Sequence, residues 1–316
     1  MTADAMRRPL LLVVGGCTGL VGRAVLGEFS SDHRLRSVHR HPTSAETAAG
    51  VDARAADAGS VSDWGPYLED VDTVLNLAWY RQARRRRFES LRSGLLRLVR
   101  DAEAAGVRRF VHVSVPDAPT KLERDLPYLA EKRRVDRAIE ASGLNYAIVR
   151  PTMLFGPRDV LITVMLRTIR RYRWFPMFGD GEYHVSPVSV VDLASALRRE
   201  AQLGGRRNVT VGGPRRWRYR DLTDALFRAE GCAPRYFRLG PRNSVRLAAF
   251  LEAIGSSLLY AYEVEWLLSD MLGLPPYVGL DRPLAEVTPF VEQEVRRSRG
   301  EPPRGSDRGL TAAPSP

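Results

Sequence analysis

The sequence is poor in cysteine, almost without lysine, and has no long apolar run. Its two cysteines, Cys17 and Cys232, lie far apart and lack metal-type spacing, so neither a disulfide framework nor a zinc site is expected and no metal is assigned. That usage fits a reducing cytoplasm. No stretch approaches the roughly 20 apolar residues that span a bilayer. Arg246, Glu252, Glu263 and Glu265 interrupt the most apolar C-terminal region, so a soluble protein is expected. Arg7 and Arg8 precede Leu10 to Val14, but that run is too short for a secretory leader and meets glycines at once, so it reads as a buried strand. Only Lys121 and Lys132 are lysines, which leaves arginine as 46 of the 48 basic residues. No internal repeat is evident.

What remains is enough to fold. With 316 residues, 44% of them hydrophobic, the chain can fill the core of one large α/β domain and a smaller lobe. A net charge of +11 suits acidic partners such as nucleotides, nucleic acid or anionic lipid without choosing among them. Short apolar runs alternate with helical patterns. Strands are expected at Leu10 to Val14, Leu35 to His39, Val71 to Ala78, Phe110 to Ser114 and Tyr146 to Arg150, and helices at Gly19 to Ser30, Phe88 to Ala105 and Tyr128 to Ser142. Such alternation implies an α/β protein with a Rossmann-type doubly wound parallel sheet, its ligands at the C-terminal ends of the strands. The expected division is a flexible N-terminus (1–8), a dinucleotide-binding domain (9–152), a smaller C-terminal substrate lobe (153–295) interleaved with the last sheet strands (185–213), and a disordered tail (296–316) rich in Arg, Gly, Pro and Ser.

The first chemical motif is Gly16-Cys17-Thr18-Gly19-Leu20-Val21-Gly22, between an expected strand and an expected helix. Glycines there permit a tight turn, close approach of backbone N–H groups to a pyrophosphate, and close packing of helix on strand. Gly16, Thr18, Gly19, Leu20 and Gly22 are therefore assigned to a dinucleotide, and Cys17 to a small filling role. Cofactor choice should show at the end of the second strand, where an acid accepts from NAD ribose and an arginine accommodates the phosphate of NADP. The segment reads Arg36-Ser37-Val38-His39-Arg40-His41, with no acid. Arg40 favours NADP over NAD; the other reading is an arginine that caps the strand in solvent.

The second motif is Tyr128-Leu129-Ala130-Glu131-Lys132, whose Tyr and Lys share one face of a helix. A phenol is a poor acid or base near neutral pH, and an adjacent ammonium favours its anion. In a chain whose cations are otherwise arginine, a lysine is notable, because a planar guanidinium cannot replace a compact ammonium in this role. A solvated helix face is the alternative. His184, between Tyr183 and Val185, is either a substrate donor or an ordinary structural histidine.

Taken together these residues resemble the short-chain dehydrogenase/reductase superfamily. The likeness is to its atypical extended members, similar to the NADPH-binding accessory subunit of respiratory complex I and to sugar-nucleotide epimerase-like proteins. It spans about residues 9 to 240 and adds Asp57, Asn76-Leu77-Ala78, Ser114, Arg150-Pro151-Thr152, Phe155-Gly156-Pro157, Gly179-Asp180-Gly181, Val190-Val191-Asp192 and Gly212-Gly213-Pro214 to the two motifs. The resemblance implies Asp57 at the adenine, Ala78 in the cofactor groove, Lys132 at the ribose, Tyr128 as general acid/base and Pro151 beside the nicotinamide. Two positions depart from the family pattern. Pro116 stands where extended members usually carry the substrate-polarising Ser or Thr, and Leu91 is nearest the place of the family's helix asparagine. Ser114, counted as catalytic, or Thr120 is the available substitute.

Two function classes follow. One is an NAD(P)-binding oxidoreductase or epimerase-like enzyme with a Tyr/Lys acid-base pair, NADP preferred, acting on a small-molecule substrate. The other is a noncatalytic NADPH-binding assembly or redox-sensing subunit. The run Arg84 to Arg87, and Arg167, Arg170, Arg171 and Arg173 before Trp174 and Phe175, are candidate contacts with a membrane surface or an acidic protein partner. No nucleic-acid-binding module is recognisable, so a nucleic-acid partner is not expected.

Overall fold

Five consecutive apolar residues make Leu10–Val14 (β1) a strand buried on both faces, as a central parallel strand must be. The computed structural model describes residues 8–79, 85–157, 159–254 and 260–301. After β1 come α1 (Leu20–Phe29), β2 (Arg34–His39), α2 (Ser44–Ala48), β3 (Asp52–Ala55), α3 (Gly65–Leu68), β4 (Thr73–Asn76), α4 (Arg85–Ala104), β5 (Arg109–Val113), α5 (Thr120–Asp125), α6 (Pro127–Ala141) and β6 (Tyr146–Pro151). The chain continues through β7 (Leu154–Phe155), α7 (Val160–Tyr172), β8 (Phe175–Phe178), β9 (His184–Val185), β10 (Val188–Ser189), α8 (Val190–Gln202) and β11 (Arg207–Val211). It ends with β12 (Trp217–Arg218), α9 (Tyr219–Ala229), β13 (Tyr236–Leu239), α10 (Pro241–Ala253), α11 (Ala261–Leu268) and α12 (Val287–Ser298).

Seven strands form one sheet in the order β11-β6-β5-β4-β1-β2-β3. Parallel registers run from Leu10 against Arg34 in β1/β2 and from Leu11 against Thr73 in β1/β4. The order reverses at β1, between β2 and β4, which makes the C-terminal end of β1 the topological switch point where doubly wound sheets take ligands. This is a Rossmann-like α/β fold. The edge strand β3, Asp-Ala-Arg-Ala, carries no apolar run; it is held by backbone pairing to β2 from Arg36 against Asp52. A sequence periodicity cannot show such a strand.

The chain divides into two compact units. Among the described residues, the first comprises those up to 150 together with 193–209, and the second those of 151–192 and from 210 to 301. In the first, Leu10, Leu12, Val14, Val74, Leu91, Leu95, Leu98, Phe110, Val135, Ile139 and Ile148 form one buried cluster that joins the sheet to α4 and α6. Trp64 is fully buried there, its indole N–H donating to the Gly94 carbonyl at 3.1 Å. In the second unit, three two-stranded pairs, β10-β7, β12-β9 and β13-β8, accompany the helices. The Phe155 and Phe290 rings meet at 5.4 Å and join β7 to α12. Helix α12 runs past Arg296, where the sequence reading begins the tail; residues 1–7 and 302–316 lie outside the described residues.

Candidate nucleotide and acid-base site

The turn from β1 into α1 is shaped by its glycines. Gly15 and Gly16 have positive φ, 73° and 69°, the region that side chains disfavour. A Cβ at Gly22 would lie 2.1 Å from the Gly16 carbonyl oxygen, and one at Gly15 would lie 2.5 Å from Ala78 Cα. Gly19 donates to the Gly16 carbonyl at 2.8 Å and serves as the N-cap of α1 without a side-chain cap. No acid stands in the first turn of α1, so its free N–H groups present the positive end of the helix dipole to an anion. Leu20 opens α1, and Thr18 is exposed, its carbonyl accepting from Arg23 Nε at 3.0 Å. Turn and helix end fit a pyrophosphate. Sequence reasoning overlooked Gly15; its signal was the Gly15-Gly16 doublet directly after an apolar strand.

The ends of the neighbouring strands lie at the same edge of the sheet. Gly15 donates to the Val38 carbonyl at 2.8 Å, Leu77 to the Val14 carbonyl at 2.9 Å, and Ala56 to the His39 carbonyl at 3.1 Å. Arg40 is exposed just after β2. Asp57 follows β3, one carboxylate oxygen accepting from the Gly59 N–H at 2.9 Å. Ala78 is buried beside Gly15, its N–H held by Asn76 Oδ1 at 3.0 Å. Arg36, in the strand that leads to Arg40, is occupied structurally, since it pairs with Asp52 at 2.7 Å and donates to the carbonyls of Tyr67 and Glu69.

Tyr128 and Lys132 lie one turn apart on α6. Lys132 is buried, its ammonium donating to the Val113 carbonyl at 3.1 Å and standing 4.6 Å from the centre of the Trp79 ring. Trp79 stacks on Phe88 at 5.9 Å, and Tyr128 meets both rings edge-on, at 5.9 and 6.2 Å. Burial pushes Lys132 down to about 8, although Asp136 pulls it the other way. Neither Trp79 nor Phe88 figured among the expected site residues, though Trp79 immediately follows Ala78.

Ser114, expected to be catalytic, lies in a buried network. Its hydroxyl donates to Asp136 at 2.9 Å, and the same carboxylate oxygen accepts from Arg133 at 2.6 Å and Arg150 at 3.3 Å. Arg133 also donates to the Pro116 carbonyl at 2.7 Å. His112 Nε2 lies 3.5 Å from the other Asp136 oxygen, while Asn76 donates to His112 Nδ1 at 3.0 Å. Burial holds His112 down to about 3, so the ring is neutral. Leu91 is a fully buried core residue, and Thr120 is exposed at the start of α5.

Other expected residues belong to the second unit or lie outside the described residues. Pro151 closes β6 and is buried. His184 Nδ1 faces Asp270 at 3.1 Å. Of the arginine cluster, Arg170 pairs with Glu230 at 2.5 Å and Phe175 is buried, whereas Arg167, Arg171, Arg173 and Trp174 are exposed. Arg84 and the side chains of Arg85 to Arg87 lie outside the described residues. No described helix is long and apolar enough to cross a membrane.

Residues 16–167 match the family described as NAD(P)H-binding. The chain is 27% identical over 152 residues to protein fmp52-2, mitochondrial, of Aspergillus terreus, covering 45% of this chain and 66% of the relative. It is 24% identical over 140 residues to the NADH dehydrogenase [ubiquinone] 1 alpha subcomplex subunit 9, mitochondrial, of Arabidopsis thaliana, covering 43% of this chain and 34% of the relative. The matches thus span just under two thirds and about one third of those proteins. Among solved structures, a nucleoside-diphosphate-sugar epimerase from Staphylococcus aureus superposes with a TM-score of 0.72 at 15% identity, covering 90% of this chain and 99% of that one. With the glycine turn at the switch point of a seven-stranded parallel sheet, residues 16–167 carry the NAD(P)H-binding family match, and the chain has the Rossmann-like fold of the epimerase structure it superposes on.

Proposed function

We propose that the chain is an NADP-dependent oxidoreductase or epimerase-like enzyme whose acid-base pair is Tyr128 with Lys132. The observation that carries this reading is the placement of a buried ammonium one helical turn from a half-buried phenol, in a chain whose described cations are otherwise arginine except for Lys121. A bound nicotinamide supplies hydride transfer. The glycine turn and the start of α1 hold the pyrophosphate, Arg40 takes the extra phosphate of NADP, and Asp57 and Ala78 line the adenine side and the groove. Lys132 holds the ribose and Pro151 lies beside the nicotinamide. Tyr128 gives a proton to a substrate oxygen or takes one from it. Ser114 then positions α6 through Asp136 and leaves the proton transfer to Tyr128. The substrate is a small molecule of the sugar-nucleotide or carbonyl class, in keeping with the epimerase fold.

The test is a Tyr128→Phe variant assayed beside the unaltered chain against a panel of carbonyl and sugar-nucleotide substrates. Nucleotide binding is expected to persist and turnover to fall by about 100-fold or more. Full turnover would sink the mechanism. Arg40→Ala should weaken NADPH binding about 10-fold and leave NADH binding unchanged.

A second reading, a noncatalytic NADPH-binding assembly or redox-sensing subunit, is favoured by Leu91 in the core, Ser114 held by Asp136, and Pro116. Tight NADPH binding without oxidation by any member of that panel would select it.

A further inference from the structure

Seven carboxylates are buried among the described residues, and most are matched by arginine. Glu131 pairs with Arg92 and Arg134, Asp136 with Arg133 and Arg150, Asp192 with Arg282, Glu200 with Arg207, and Glu230 with Arg170 and Arg299. Asp159 is spent on the N-terminus of α7, accepting from the backbone of Leu161 and Ile162. Among the described residues, Glu46 has no arginine or lysine partner, in an arginine-rich chain. Its Oε2 accepts from the backbone N–H and hydroxyl of Thr43, at 2.9 and 3.1 Å, which turns Oε1 inward. There Oε1 meets His39 Nε2 at 2.9 Å and the Ser37 hydroxyl at 3.3 Å. The thiol of Cys17 completes the group: the ligand atoms of Cys17, His39 and Glu46 all lie within 4.8 Å of one another, and all three residues are buried.

We propose that Cys17, His39 and Glu46 form a binding site for a borderline-soft divalent cation, with zinc as the fitting metal. One sulfur, one imidazole nitrogen and one carboxylate oxygen are the donor types zinc takes, and three protein ligands leave a position for water or the Ser37 hydroxyl. Thr43 fixes the carboxylate as outer partners of metal ligands do. The ion supplies the positive charge that Glu46 otherwise lacks, since a buried carboxylate is costly without a partner. Binding releases the thiol proton of Cys17 as the metal–sulfur bond forms. The site ties the glycine turn to the end of β2 and the start of α2.

The full chain should take up one Zn²⁺ in equilibrium dialysis. With Co²⁺ it should show the visible bands of a four-coordinate ion and a thiolate-to-cobalt charge-transfer band in the near ultraviolet. Cys17→Ser should abolish the near-ultraviolet band and weaken binding at least about 10-fold, while Cys232→Ser changes neither. Because Cys17 lies in the glycine turn, Glu46→Gln provides a second probe that leaves the turn intact. It should weaken cobalt binding about 10- to 100-fold with an unchanged far-ultraviolet circular dichroism spectrum. Uptake well below one ion per chain, a cobalt spectrum without the thiolate band, or binding indifferent to both substitutions overturns the proposal.

Discussion

The ammonium of Lys132 stands 4.6 Å from the centre of the Trp79 indole ring. A cation over an indole face gains about 0.5–2 kcal/mol, and here it offsets part of the burial that holds Lys132 down to about 8. The proposed cofactor contact through that ammonium would be present below about 8 and lost as pH rises through it. NADPH affinity of the unaltered chain should therefore fall above pH 8, and a Lys132→Met variant should bind weakly with no such fall. In Trp79→Leu the fall should begin at lower pH. Fluorescence titrations of NADPH across this range decide it; a flat profile in the unaltered chain would remove Lys132 from the contact.

Gly22→Ala places a methyl group 2.1 Å from the Gly16 carbonyl oxygen. No side chain can yield there, because the obstacle is backbone. The turn must open, and NADPH affinity should drop by about 100-fold, the equivalent of about 2.7 kcal/mol. Gly27, whose added Cβ meets nothing within 4 Å, supplies the control: Gly27→Ala should bind normally. Equal affinities for both variants would contradict the placing of the pyrophosphate.

Removal of the Asp136 carboxylate leaves two buried guanidiniums, Arg133 and Arg150, short of a partner. Breaking such a network costs about 3–5 kcal/mol. Asp136→Ala should lower the denaturation midpoint accordingly, and Ser114→Ala, which removes one donor and no charge, should cost only about 1 kcal/mol. Urea titrations of both variants give the comparison. A larger loss from Ser114→Ala would reverse the ranking.

Asp159 is buried, and that burial pushes its carboxyl up to about 6, against an ordinary value near 3.9. The folded chain thus binds this proton more tightly than the unfolded one, so the group's contribution to stability falls as pH rises from about 4 to about 6 and stays lost above that. Asn removes the buried charge and keeps one acceptor oxygen, so it gives up one of the two N–H bonds, to Leu161 or Ile162, in exchange. Asp159→Asn is expected to raise the melting temperature at pH 8 by about 2–4 °C, and to have no such effect below pH 4. A lower melting temperature at pH 8 would mean that the helix-capping charge outweighs its burial.

Much of the sheet was legible in the residues because its strands are buried on both faces and therefore continuously apolar. Leu10–Val14 was located to the residue, and the helix expected at Tyr128 to Ser142 runs from Pro127 to Ala141. Edge strand β3, built from Asp52 to Ala55, was invisible to the same reading because an exposed edge needs no apolar face.

Consecutive residues are enough to encode the nucleotide end of the protein, because a glycine turn between strand and helix, and a Tyr/Lys pair at helical spacing, are local geometries. What surrounds them arises from the packing of distant segments. That packing brought Trp79 over Lys132, turned Ser114 towards Asp136, and set Cys17, His39 and Glu46 within 4.8 Å of one another from three separate segments. Those encounters depend on which strands neighbour which in the parallel sheet, and crossovers of that kind leave no spacing in the chain to read.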